Sequence, residues 1–215
     1  MIIVIAHTKG GVGKSTIAWN IATALNSTLN IEVVDLDFQR TLTYVNEYRD
    51  KQLVVKGFST KKEFEAYVRA DNNQRISIVD LGGFDSEINR MAMIVADLII
   101  TPVSDANTEL LGLKRFDKIL NEISQAIGEK ITVKVLLNNI NPQKKNLDEL
   151  KEYINKKELF TLFETVLRTR ADYGKALDDG LGIIEYKKDS KGANEMASLL
   201  REINKIIKEN INGKR

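Results

Sequence analysis

The chain contains no cysteine, one histidine and two prolines in 215 residues. Without cysteine there can be no disulfide framework, thiolate zinc site, iron–sulfur cluster or thiol nucleophile, and the absence fits a reducing, cytoplasmic compartment. A lone His7 cannot build a histidine metal site. No window approaches the roughly 20 apolar residues that a membrane-spanning helix needs. The apolar run at residues 2–6 is too short for a secretory signal and has no basic residues before it. Formal charge is only +2, so any nucleic-acid contact has to be a local patch. No repeat, low-complexity tract or Gly/Pro/Ser-rich linker breaks the chain, so residues 1–215 read as one domain.

Short, near-continuous apolar runs at 2–6, 31–36, 76–81, 98–103 and 131–137 have the pattern of strands covered on both faces. Segments 52–58 and 159–167 are weaker strand candidates. Between them Ile17, Ile21 and Leu25, and then Leu113, Phe116, Leu120, Ile123 and Ile127, keep helical spacing. Strand and helix in alternation predict an α/β domain: a mostly parallel central sheet flanked by helices on both faces.

The first strand runs into Lys9-Gly10-Gly11-Val12-Gly13-Lys14-Ser15-Thr16 and then into a helix, the strand–loop–helix context of a P-loop NTPase. Glycines let the backbone curl with its N–H groups inward, and the helix dipole adds positive potential, so the loop suits phosphates. Lys14 is placed to reach the β- and γ-phosphates of ATP. Ser15 is placed to complete a Mg²⁺ shell, and Thr16 to bond further back. A standard motif has glycine where Thr8 stands, and Lys9 follows it, so this loop is of the deviant kind.

Two acidic motifs lie downstream, Val33-Val34-Asp35-Leu36-Asp37-Phe38-Gln39 and Ile78-Val79-Asp80-Leu81-Gly82-Gly83. With the loop, they make the chain resemble the ParA and MinD family of deviant-Walker ATPases, in its small form, along its full length. The resemblance implies that Asp37 orients the attacking water, Asp35 supports the metal's outer shell and Asp80 holds Mg²⁺ through water. It implies that Asn138, after the 131–137 strand, recognises adenine. Lys9 would cross to the nucleotide of a second protomer, so that ATP favours a homodimer. Phe38 departs from the usual proline, and Gly82-Gly83 from the usual proline pair.

From Arg168-Thr169-Arg170 onward the chain is locally basic, with Lys187, Lys188, Lys191, Arg201, Lys205, Lys208, Lys214 and Arg215 on or around a helix expected over 194–208. Together with the resemblance this implies ATP-gated, sequence-independent DNA binding, hence nucleoid association, and plasmid or chromosome partition with a centromere-binding, ParB-like partner. The chain starts at its first strand, and no separate DNA-reading domain is expected. The same helix carries Leu199, Leu200, Ile203, Ile206 and Ile207 on one side. That stripe is open to two readings, a MinD-like membrane-cycling anchor or core packing, and the latter is the simpler. A ligase resembling dethiobiotin synthetase is a third class, but no residue set calls for its substrate pocket. Cluster scaffolds and nitrogenase-reductase-like relatives need cysteines that this chain lacks.

Overall fold

In the computed structural model, which describes residues 1–70 and 75–213, strands and helices alternate as follows. The first half runs β1 (Ile2–Ile5), α1 (Lys14–Leu25), β2 (Ile31–Leu36), α2 (Thr41–Glu47), β3 (Val54–Lys56), α3 (Lys61–Arg69), β4 (Ile76–Leu81) and α4 (Glu87–Ile94). The second half runs β5 (Leu98–Val103), α5 (Asn107–Ile127), β6 (Val133–Ile140), α6 (Asp148–Asn155), β7 (Phe160–Arg168), α7 (Ala171–Asp178), α8 (Ile183–Tyr186) and α9 (Lys191–Gly213). The strands form one sheet in the order β3-β2-β4-β1-β5-β6-β7, and each neighbouring pair is parallel.

Alternation along β1 shows why the runs are apolar throughout. Val4 faces one core layer with Phe64, Phe116 and Ile154, whereas Ile3 and Ile5 face the other with Trp19, Leu42 and Ile203. Helices α3 to α6 cover the first face, and α1, α2 and α7 to α9 the second. The C-terminal stripe is core: Leu199, Leu200, Ile203 and Ile207 are buried and Ile206 packs beside them. No helix among the described residues is long and apolar enough to cross a membrane.

Local signals set the helix ends. Thr60 and Glu63 form a reciprocal capping box on α3, Ser86 Oγ accepts from Asn89 N on α4, and Gly128 ends α5 at φ 74°. The β7 edge is shielded by α9, where Glu202 accepts from the backbone N–H groups of Glu164 and Thr165, and Glu195 from that of Arg168. Three sequence expectations need correcting. Strand β6 runs on to Ile140, so Asn138 and Asn139 lie inside it, with Asn139 left-handed at φ 57° where the register with β7 shifts. Helix α9 spans Lys191–Gly213, because the apolar period continues past both expected ends. The 52–58 strand shrinks to three residues. Lys214 and Arg215 lie outside the described residues.

Candidate functional site

Strands β1, β2 and β4 are adjacent and parallel, so the loops after them meet at one sheet edge. There an open cleft of about 690 Å³ is lined by Gly10, Gly11, Gly13, Lys14, Ser15 and Thr16 from the first loop, and by Asp37 and Gly83 from the other two. Gly11 and Gly13 take left-handed backbone at φ 77° and 94°, which lets the loop double back into α1. A Cβ on Gly13 would sit 2.6 Å from Asn138 Nδ2.

Lys14 is buried at the cleft floor and its ammonium donates to Lys9 O at 3.1 Å. Burial lowers its pKa, against the pull of Asp80 and Asp37. Asp80 is fully buried, and neither of its carboxylate oxygens has a hydrogen-bond partner among the described residues. Burial pushes its pKa up to about 7; the Ser15 hydroxyl and Lys14 oppose the rise, while Asp35 and Asp37 add to it. An orphaned carboxylate and a hydroxyl beside a ring of inward amides are the donor set that a magnesium–triphosphate complex requires, so the residues fit that group. Among the described residues no cluster of three or more acidic or histidine side chains could hold a metal by itself.

Asp35 and Asp37 both reach the site, but differently. Asp35 is buried, its Oδ2 accepts from Thr43 N and Thr43 Oγ1, both at 3.0 Å, and its Oδ1 accepts from Asp37 N at 3.3 Å. Burial raises its pKa against those bonds. Asp37 stands half-buried on the cleft wall and accepts from Gln39 N at 2.9 Å. Asn138 Nδ2 donates to Val12 O at 2.9 Å, bracing the loop and leaving its Oδ1 available. Val12 and Asn138, with Asn139, Arg168, Arg170 and Tyr173, line a smaller hollow of about 140 Å³ on the far side of Gly11 and Gly13. Lys9 lies outside the cleft, and its ammonium donates to Thr108 Oγ1 at 2.9 Å.

Sequence reasoning missed several residues here. Arg168 and Arg170 wall the smaller hollow, Arg168 donating to Asn141 O and Lys144 O and Arg170 to Glu195. Phe84 lines the main cleft and folds against Gly82, where a Cβ would meet its ring at 2.9 Å. Gly83 is needed for contact, since a Cβ there would meet Gly10 N at 3.1 Å. Thr41 and Leu177 also reach the cleft wall. Only Gly82-Gly83 signalled any of this, because an unexplained glycine pair marks a close approach.

Residues 3–184 match the family described as the CobQ/CobB/MinD/ParA nucleotide binding domain. The chain belongs to this family. The chain is 25% identical over 212 residues to the maintenance of carboxysome distribution protein A of Halothiobacillus neapolitanus, covering 96% of this chain and 94% of that protein. The fold is shared with the septum site-determining protein MinD of Pyrococcus horikoshii complexed with Mg-ADP, at TM-score 0.73, 18% identity and 96% coverage of both chains. It is shared too with a putative plasmid partition protein of Borrelia burgdorferi bound to AMPPNP, at TM-score 0.65, 16% identity and coverage of 95% and 98%. The chain is thus a nucleotide-binding domain of the ParA/MinD type.

Proposed function

We propose that the chain is a magnesium-dependent ATPase that dimerises when ATP is bound, associates with DNA without sequence preference, and positions a plasmid or chromosomal centromere complex through a partner protein. The observation that carries the nucleotide part is the buried pair of Lys14 and partnerless Asp80 beneath the glycine loop.

In this reading the amides of Gly10 to Thr16 and the Lys14 ammonium grip the β- and γ-phosphates. Ser15 and Asp80 would hold Mg²⁺, which when bound supplies positive charge to the phosphate oxygens. Asp37 accepts a hydrogen bond from the attacking water and aims it at the γ-phosphorus. The water's oxygen bonds to the γ-phosphorus as the bond to the ADP oxygen breaks, the water's two protons end on the released phosphate, and ADP and inorganic phosphate leave. Asp35 acts one step back: its bonds to Thr43 and Asp37 N hold the turn that presents Asp37. Asn138 keeps an acceptor for the adenine amino group, while Lys9 exchanges Thr108 for the phosphates of a second protomer.

The DNA part is supported by α9 and the loop before it, where Lys187, Lys188, Lys191, Arg201, Lys205 and Lys208 are exposed. The apolar face of that helix is buried in the core, which leaves no lipid-facing stripe over Leu199–Ile207 and disfavours the membrane-cycling alternative. A carboxysome cargo is the second reading, favoured by the end-to-end relative from H. neapolitanus. Duplex DNA retardation with ATP, ADP and no nucleotide, beside flotation with anionic vesicles, tests the proposal. It expects retardation with ATP alone and no flotation, and equal retardation in all three states overturns it.

A further inference from the structure

A second, half-open hollow of about 20 Å³ is lined by His7, Thr8, Gly82, Phe84, Asn89 and Phe116 with their neighbours. That is room for one water and little else. His7 and Asn89 are each only 3% exposed, and His7 Nε2 and Asn89 Oδ1 are both buried without a hydrogen-bond partner among the described residues. Their remaining polar atoms are committed, and the commitments decide what each orphan is.

His7 Nδ1 accepts from the backbone N–H of Lys9 at 3.0 Å. A nitrogen that accepts carries no proton, so a neutral ring has its proton on Nε2. Burial, with the charges of Lys14 and Lys9, lowers the His7 pKa to about 4, which keeps the ring neutral. The orphan is therefore a donor. Asn89 Nδ2 donates to Phe84 O at 2.7 Å and to Gly82 O at 3.4 Å, which fixes the amide orientation and leaves Oδ1 as an acceptor. His7 and Asn89, which carry this donor and this acceptor, both line the hollow of one-water size. Thr8 Oγ1, which donates to Gly112 O at 2.9 Å, keeps lone pairs for the second proton of such a water.

We propose that a single internal water joins His7 Nε2–H to Asn89 Oδ1 and completes a hydrogen-bonded chain from the Gly82–Phe84 turn to the backbone of Lys9. The turn borders the phosphate cleft through Gly83 and Phe84. The imidazole lies close over Gly112, where an added Cβ would stand 2.7 Å from its Cε1, and beside Phe116 at 6.1 Å between ring centroids. A shift of the turn thus moves Asn89, the water, His7 and the Lys9 amide together. His7 and Asn89 are positioning residues: neither lines the phosphate cleft, and both act through Lys9 and the turn.

His7 is the chain's single histidine, so its imidazole signals are unambiguous. Long-range ¹H–¹⁵N spectra of the whole labelled chain, with ADP and with a non-hydrolysable ATP analogue, are expected to show the Nε2–H tautomer. They should also show a water cross-peak at that proton and a shift between the two nucleotide states. The Nδ1–H tautomer, a missing water cross-peak or identical signals in both states overturns the proposal.

The coupling itself is read from a cycle of His7→Phe, Asn89→Leu and the pair, measuring how strongly ATP is preferred over ADP for dimerisation. Each single change is expected to lower that preference about tenfold and the pair no further, whereas a hundredfold loss in the pair means independent sites and refutes the chain. This cycle rests on the dimer reading above. If the parent never dimerises, that reading fails alone, and the spectra still decide the water. They decide it likewise if Asn89→Leu does not fold.

Discussion

Replacing Asp80 by Asn should stabilise the nucleotide-free protein and abolish its magnesium-dependent ATP binding. Burial raises the Asp80 pKa from 3.8 to about 7. Because the folded-state value is the higher one, the folded chain keeps a proton that the unfolded chain releases, and stability falls as pH rises from 3.8 towards 7. Above the upper value the penalty levels off at about 4 kcal/mol. The Asn variant carries no such penalty, and the attraction of Lys14 is already contained in the raised pKa. The expectation is a stabilisation of a few kcal/mol near pH 8, about 4 at most, shrinking to about half a kcal/mol near pH 4. With a urea slope of about 2 kcal/mol/M the midpoint should move up by about 1–2 M at the higher pH. Urea unfolding of both proteins across that range, without nucleotide or metal, reads the difference directly. A variant less stable than the parent at pH 8, or a difference that ignores pH, refutes the claim that Asp80 is strained when ionised.

Lys14→Ala removes the buried counterion of the phosphates and should raise the dissociation constant for ATP at least a hundredfold, about 3 kcal/mol, by calorimetry; an unchanged affinity contradicts the site. Gly83→Ala forces a Cβ to about 3.1 Å from Gly10 N. Relief requires the turn to move by a few tenths of an ångström. We expect about 1–2 kcal/mol of lost stability and a weaker preference for ATP over ADP, measured by thermal unfolding and competitive binding.

The sheet was legible wherever both faces are covered, because such strands read as unbroken apolar runs. This is why 31–36, 76–81 and 98–103 agree with β2, β4 and β5 to the residue. The edges were less legible. β3 is short and half-exposed, and β6 carries near its end the polar pair Asn138-Asn139, which resembles a loop by composition and continues the strand to Ile140 only because β7 pairs beyond it. The phosphate loop was readable since its glycines and lysine are contiguous. Arg168, Arg170 and Tyr173 were not readable as lining residues, because each comes to the smaller hollow from a distant segment, and Phe84 was marked only by the glycine pair before it. His7 passed for a bland residue until its tautomer could be derived from the Lys9 amide.

The central claim is that triphosphate in the cleft joins two protomers through Lys9, and that Asp37 is needed to cleave it but not to bind it. Light scattering of Asp37→Ala after gel filtration in ATP and Mg²⁺ tests this most directly. The account predicts a stable dimer of twice 24.3 kDa that returns to monomer in ADP or when Lys9→Ala is added. A monomer at every ATP concentration, or a dimer indifferent to both changes, contradicts it.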